Sequence, residues 1–305
     1  MWSTLSTRAQ APRRAKVGGG EAGGSRVQQV FVGDIQGCAD EFEGLLESLQ
    51  MRFGVDFELW VVGDVVNRGP QSLRALSLLR DWVENRGAHY VLGNHEIALL
   101  RTAAGLRSPR RQDTFGDVLE RPASDGWFDW LRSRPLVETG RLGRQPFAIV
   151  HAGVHPDWSL DELVARGRRI RDRLGGESRR EAEQFLAADS REESSRADVE
   201  RLTRCRSVAA NGDWFEQPSV EGADPWHLQW ARRGHGYGVV YGHWSLQGLH
   251  VAPGLRGLDT GCVHHGRGRD GALTAWLPDP TAETPFDAPD TNFLKIPARR
   301  AYPRP

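Results

Sequence analysis

Five short apolar runs in this 305-residue chain each end on a side chain suited to a metal ion. VFVG runs into Asp34, WVVG into Asp64, YVLG into Asn94, FAIV into His151 and VVYG into His243. A single Asp or Asn after such a run is usually a cap or turn residue. A lone His there is more often a satisfied structural histidine than a ligand. Five oxygen or imidazole donors at equivalent places are not explained by turns, and they predict a metal centre. Asp64 can bridge two divalent ions, one also held by Asp34 and the other by Asn94, His151 and His243. Two such ions acidify a trapped water to hydroxide and clamp phosphate oxygens for in-line attack. The oxygen-rich donor set with two histidines favours Mn²⁺ or Mg²⁺, and no cysteine ends a strand.

Bringing these residues together requires parallel strands with the donors beyond their carboxyl ends. VQQVFVGD, ELWVVGD and AHYVLGN read as strands, and positions 34, 64 and 94 lie one βα unit apart. ADEFEGLLESLQ between the first two is an amphipathic helix with Phe42, Leu45, Leu46 and Leu49 on one face. PQSLRALSLLRDWVEN is a second helix, with Pro70 in its first turn, and HEIALLRTA a third. The alternation predicts an α/β fold. QPFAIVHAG and GVVYGHW are further strands, GWFDWLRSRPL is a helical piece, and LRGLDTGC and GALTAWLPD alternate like antiparallel strands. The charged segment 156–236 is expected to be a helical cap inserted in a domain spanning 27–279. A disordered basic, Gly-rich tail (1–26) and an irregular Pro-rich tail (280–305) are expected to flank it.

Hydrophobic residues make up 39% and charged residues 26% of the chain, and the formal net charge is zero. That balance opposes general nucleic-acid binding or a membrane-surface role. Only Lys16 and Lys295 are lysines, so arginine supplies nearly all of the positive charge. Cys38, Cys205 and Cys262 form no CxxC, and free thiols in a reducing compartment, the cytoplasm, are expected. The first 25 residues lack the apolar stretch of a secretory signal, and no run is long enough to span a bilayer.

GDIQG, GDVVNRG, GNHE, HAG and GHW, in this order, resemble the calcineurin-like metallophosphoesterases, in their phosphoprotein-phosphatase branch. GDIQGC, VNRGP, LGNHE, VHAGVHPDW, RLTRCR, YGHWSLQG and LDTGC resemble in particular the symmetrical bis(5′-nucleosyl)-tetraphosphatases, across about Val27 to Pro278. The resemblance implies a central two-sheet β-sandwich flanked by helices. It implies hydrolysis of diadenosine tetraphosphate to two ADP by a metal-bridging hydroxide. It implies two divalent ions, with Mn²⁺ preferred and Mg²⁺, Co²⁺ or Fe as alternatives. Metal roles fall on Asp34, Asp64, Asn94, His151 and His243. Arg68 matches a phosphate-contacting arginine and His95 a general acid, while Arg204 and Arg206 stand where the family has a basic pair for substrate phosphates. In an arginine-rich chain, that pair could equally be ordinary surface residues.

Two positions depart from the protein-phosphatase pattern. Gln36 replaces a histidine of the first motif, and its carbonyl oxygen is a weaker, neutral ligand or a partner for metal-held water. Asn67 replaces an aspartate that orients the GNHE histidine and favours its charged form. Asn67 is expected to orient His95 through its carbonyl without supplying charge. A serine alkoxide needs a proton to leave, whereas the terminal phosphate of a nucleoside diphosphate, with a second pKa of about 6, does not. The substitution therefore suits a phosphoanhydride substrate. A protein serine/threonine phosphatase and a catalytically weak nucleotide-binding sensor remain as other readings. The expected partner is a dinucleoside polyphosphate, with RNA capped by a dinucleoside-tetraphosphate-like end as another possible substrate. His264-His265 reads as a surface loop, and Asp213 of NGDW is discounted because no apolar strand precedes it.

Overall fold

The computed structural model describes residues 27–122, 125–287 and 291–302. The tail expected over 1–26 lies outside the described residues. The chain begins with β1 (Gln28–Val32), α1 (Ala39–Phe53), β2 (Phe57–Val61), α2 (Ser72–Arg86), β3 (His89–Tyr90) and α3 (Asn94–Ala103). β1, β2 and β3 pair in parallel, with Val32 opposite Val61 and Val61 opposite Tyr90. Val30, Phe31 and Val32 are all buried, as befits a strand covered on both faces. The apolar face of α1, Phe42, Leu45, Leu46 and Leu49, is buried as its spacing requires. Pro70 is not in the first turn of α2, since Gln71 is the N-cap and Ser72 the first helical residue.

Two short helices, α4 (Gly116–Leu119) and α5 (Trp127–Arg132), lead to the hairpin β4 (Glu138–Leu142) and β5 (Gln145–Ile149). The next segment holds α6 (Leu160–Leu174), α7 (Arg179–Ala187) and α8 (Ser194–Arg204), and then a small antiparallel sheet of β6 (Ser207–Ala209), β7 (Trp214–Phe215) and β8 (Ala223–Pro225). The cap, expected to be helical in large part, is so over its first two thirds, while its last third is this small sheet, with β6 between β7 and β8, closed by α9 (Trp226–Arg233). The cause is local, because Asn211 Oδ1 accepts the Asp213 N–H and turns NGD into the corner joining β6 to β7. That turn also accounts for Asp213, which belongs to no strand-end motif.

β9 (Gly238–Tyr241), β10 (His250–Ala252) and β11 (Leu255–Gly257) join β5 and β4 in a second sheet of order β10-β11-β9-β5-β4. β12 (Ala272–Trp276) and β13 (Phe293–Pro297) complete the first sheet in the order β13-β12-β1-β2-β3. Thus LRG and ALTAW do not pair as antiparallel neighbours. β11 lies parallel to β9, and the chain crosses between sheets before β12 pairs with β1. The expectation of an irregular tail is corrected too. β13 is an edge strand on β12, and Tyr302 Oη donates to both oxygens of the buried Glu41 at 2.8 and 2.7 Å.

The sheets face one another. Phe31, Trp60 and Trp276 of the first meet Phe147, Ile149 and Val240 of the second. Phe147 stands edge-on to Phe31 at 5.1 Å and to Trp60 at 5.0 Å between ring centres. This sandwich, with α1 and α2 on one outer side and the cap on the other, holds the carboxyl ends of β1, β2, β5 and β9 side by side.

Candidate active site

The strand ends converge because their glycines leave no side chain in the way. A Cβ on Gly93 would overlap Asp64 Oδ1, and one on Gly242 would overlap Asp34 Oδ1. Among the described residues, the non-glycine positions in the left-handed region are Gln36 (φ 48°), Asp64 (47°), Asn67 (78°), Arg68 (66°) and His243 (65°). All five belong to the set singled out from the sequence. Such backbone costs about 1–3 kcal/mol per residue and gathers where function over-determines geometry. The first two loops are laced together: Ile35 and Gln36 donate to the Asp64 carbonyl, and Gly37 to that of Val65.

His151 is fully buried, and its Nδ1–H donates to the Val62 carbonyl at 2.9 Å. That bond leaves the Nε2 lone pair facing Asn94 Oδ1 at 3.1 Å and Asp64 Oδ2 at 3.3 Å. Ligand atoms of Asp64, His151 and His243 lie within 4.8 Å of one another, and the buried His243 Nε2 has no hydrogen-bond partner among the described residues. With Nδ1 as the donor, the convergence of His151 Nε2, Asn94 Oδ1, Asp64 Oδ2 and His243 Nε2 fits a divalent cation. His243 is pushed well below its ordinary pKa by burial and then by His151 beside it. Burial pushes Asp64 up, but His151 and His95 outweigh it and hold the carboxyl below the usual range.

On the other side, both oxygens of Asp34 accept the His243 backbone N–H, at 3.1 and 3.2 Å. Asp34 is raised well above its ordinary value by burial, then by Asp259 and Asp64. Asp259, which the sequence reading passed over inside LDTGC, is raised to about 6 by burial, with the Gly261 N–H opposing and Asp64 adding. Gln36 stands 3.5 Å from Asp64 Oδ2 through its amide nitrogen, the stance of a donor to that carboxylate.

A third group supports the loops. Glu96 is fully buried, and its two oxygens accept the backbone N–H of Gly93 (2.8 Å), Asp64 (2.9 Å), Val65 (2.9 Å) and Val66 (3.1 Å). It lies in the quoted GNHE motif, yet its role became visible only in the fold. Asn67 Oδ1 accepts from the Arg68 and Thr114 N–H at 2.8 and 2.9 Å, so its amide must face the other way. Its Nδ2 donates to His95 Nδ1 at 2.9 Å and to Asp113 Oδ1 at 3.1 Å. The expected carbonyl contact to His95 is therefore corrected to an amide contact. Burial lowers His95 to about 4 against the pull of Asp64. Asp113 also binds Arg107 at 2.6 Å, and no sequence motif announces it.

Two cavities open from the metal-fitting cluster. One, about 480 Å³, runs between α3 and α8 and is lined by Arg107, Arg110, Arg196 and Arg204. The other, about 430 Å³, is lined by Gln36, Ser245, Asp259, His264 and Arg267. Arg68, Asn94, His95, Gln112, Arg206 and His243 line both. Of the predicted basic pair, Arg206 reaches the centre and donates to the His243 carbonyl at 3.3 Å, whereas Arg204 pairs at the rim with Glu216 at 2.7 Å. His264 lies in the cleft rather than on a surface loop, and burial lowers it to about 4, with Arg269 and Arg267 adding. His265 is spent on the Gly271 N–H.

Residues 29–247 match the calcineurin-like phosphoesterase family. The chain is 36% identical over 251 residues to the symmetrical bis(5′-nucleosyl)-tetraphosphatase of Paracidovorax citrulli (strain AAC00-1), covering 77% of this chain and 88% of that protein. It is 38% identical over 251 residues to the enzyme of that name from Janthinobacterium sp. (strain Marseille), covering 77% and 89%. For that from Pseudomonas putida (strain GB-1) the identity is 32% over 286 residues, covering 88% and 96%. A crystal structure described as a candidate diadenosine tetraphosphatase superposes with a TM-score of 0.59 at 23% identity, over 89% of this chain and 94% of the other, which shows the shared fold.

Proposed function

Since this chain belongs to the symmetrical bis(5′-nucleosyl)-tetraphosphatase family of calcineurin-like phosphoesterases, we propose that it hydrolyses diadenosine tetraphosphate to two ADP. The observation that carries this reading is the shape of the cleft. Two basic cavities of about 480 and 430 Å³ meet over the acidic and imidazole cluster. A substrate with two equal nucleotide halves fits an arm on each side, with its central phosphates at the meeting point.

Asp34 and Asp64 would hold one divalent ion, and Asp64, Asn94, His151 and His243 the other, with Mn²⁺ the favoured metal. Bound there, the pair of ions would acidify a water and draw charge from phosphate oxygens. Water oxygen adds to an inner phosphorus, the P–O bond to the central bridging oxygen breaks, and ADP leaves with that oxygen. Arg68 and Arg206 border both arms and face the charge that builds on the phosphates. Arg204 contacts phosphate only at the rim. Asn67 leaves His95 a single proton, on Nε2, which donates a hydrogen bond to the departing oxygen. A full proton transfer is not required, because that phosphate has a second pKa of about 6.

The test is a comparison of substrates. The purified protein with Mn²⁺ should turn over diadenosine tetraphosphate at least 100-fold faster than a phosphoserine peptide, and lose that activity in EDTA. Faster cleavage of the peptide would replace this reading with a protein phosphatase. Metal-independent binding without turnover would replace it with a nucleotide sensor.

A further inference from the structure

Two of the three cysteines meet in the interior beside a buried carboxylate. Cys38 is the N-cap of α1, and Glu41 lies in the first turn of the same helix, three residues on. Cys262 opens a one-turn 3-10 helix, Cys262–His264, on the crossing from β11 to β12. Exposure is 0% for Cys38 and Glu41 and 2% for Cys262. One ligand atom from each, the two Sγ and a carboxylate oxygen, lies within 4.8 Å of the others. Two sulfurs on one tetrahedral zinc stand about 3.8 Å apart, because the Zn–S bond is about 2.3 Å. Both thiols are free.

Glu41 is already oriented. Its Oε1 accepts the Arg299 N–H at 2.7 Å and the Tyr302 hydroxyl at 2.8 Å, and its Oε2 lies 2.7 Å from the same hydroxyl. An ionised carboxylate oxygen has two lone pairs, so Oε2 keeps at least one for a further partner. Hydrogen bonds that fix a carboxylate in this way are typical of one that ligates a metal. The thiols have only weak partners. Cys38 Sγ reaches the Gln36 carbonyl at 3.9 Å, and Cys262 is held well above the ordinary thiol pKa by its hydrogen bond with Cys38 and by burial. Exchanging the two thiol protons for one divalent ion leaves the charge of the enclosed cluster unchanged, with Glu41 a carboxylate before and after.

We propose that Cys38, Glu41 and Cys262 form a separate metal site, apart from the strand-end donors, for a thiophilic divalent ion of the Zn²⁺ class. Thiolates select such ions over Mn²⁺ or Mg²⁺, which the oxygen-rich strand-end set favours, so the chain sorts two kinds of metal by the softness of its ligands. Three protein ligands leave one corner of a tetrahedral ion to a small ligand such as water. The ion ties the start of α1 to the turn that follows Asp259. Through Glu41 it also ties both to the C-terminal segment of Arg299 and Tyr302.

The test uses Co²⁺ in place of Zn²⁺, because cobalt on thiolate absorbs strongly in the near-ultraviolet and cobalt on oxygen and imidazole does not. The full-length, reduced protein is given excess Mn²⁺ and then titrated with Co²⁺. The thiolate band should saturate at one Co²⁺ per chain and vanish when Zn²⁺ is added. Cys262→Ser should abolish the band, and Glu41→Gln should weaken Co²⁺ binding at least tenfold. Cys205→Ser, which alters the thiol at the end of α8, should keep the band. No band from the unaltered, folded chain would overturn the proposal, whatever the strand-end donors bind. A band that survives Cys262→Ser and is lost in Cys205→Ser would overturn it as well.

Discussion

The side-chain amide of Asn67 donates to Nδ1 of His95 across 2.9 Å, and it cannot turn over, because its carbonyl is held by the N–H groups of Arg68 and Thr114. His95 therefore carries its one proton on Nε2. A second proton on Nδ1 would meet a donor. The pair is built for an imidazole that donates a hydrogen bond and against an imidazolium that gives up a proton. Exchanging Asn67 for Asp alone would set two carboxylates together, because Asp113 already lies 3.1 Å from the same amide. The informative variant is Asn67→Asp combined with Asp113→Asn. It should shift the ratio of phosphomonoester to tetraphosphate hydrolysis toward the monoester by about tenfold or more, because general acid assistance matters most for a basic leaving group. An equal change on both substrates would contradict the assignment.

Glu96 accepts four backbone N–H groups with two oxygens in a place without solvent. Glu96→Ala strands all four, and each buried unmet donor costs about 1–3 kcal/mol. The variant should lose at least about 3 kcal/mol of stability by urea unfolding, and hydrogen exchange should speed up first at Asp64, Val65 and Val66. Glu96→Gln, which retains an acceptor oxygen, should lose less.

Adding Mn²⁺ should raise the melting temperature of the metal-stripped protein. At a hundred times the dissociation constant, binding to the folded state alone stabilises by about 2.7 kcal/mol. His243→Ala should flatten this response. Its Nε2 has no hydrogen-bond partner among the described residues, so little native structure should be lost with it.

His89 stacks on Trp60 with ring centres 3.7 Å apart and lies 3.2 Å from Glu58. Burial opposes its charge, but the carboxylates of Glu138 and Glu58 prevail and raise it to about 9. The His89 hydrogen bond is the largest cause lowering Glu58 to about 2, against its burial. The histidine's contribution is complete below its unfolded value of 6.5 and is lost as pH rises through about 9. That of Glu58 is complete above 4.5 and is lost as pH falls toward about 2. With solvent screening the pair is worth about 1 kcal/mol. His89→Gln should thus narrow the stability gap to the parent between pH 6 and pH 9.5, measured by denaturant unfolding.

Arg206 sits where both arms meet, and Arg204 pairs with Glu216 at the rim. Arg206→Ala and Arg68→Ala should each lower kcat by about 10²–10³, as expected on losing a donor to transition-state charge. Arg204→Ala should change mainly KM, within about tenfold, which steady-state kinetics would separate.

The strand ends that carry the candidate site were legible because parallel strands buried on both faces are short apolar runs, and whatever follows them must lie at the sheet's rim. The same logic shows what was hidden. Asp113 and Asp259 follow no such run, and they reach the cleft through tertiary contacts that no local spacing records. Asn67 was noticed, but the orientation of its amide depends on the Thr114 N–H, far along the chain. The three-residue strands of the cap carry too few residues to show a period, and β13, which ends on Pro297 in a Pro-rich stretch, is decided by its pairing with β12.

The central claim is that the nucleotide lies across the metal cluster with one half in each arm, so that cleavage falls at its middle. It is tested most directly by separating the products of diadenosine tetraphosphate after incubation with the protein and Mn²⁺. The account predicts ADP as the only nucleotide product, two per substrate consumed. ATP and AMP in equal amounts would leave the metal chemistry standing and contradict the placement of the substrate.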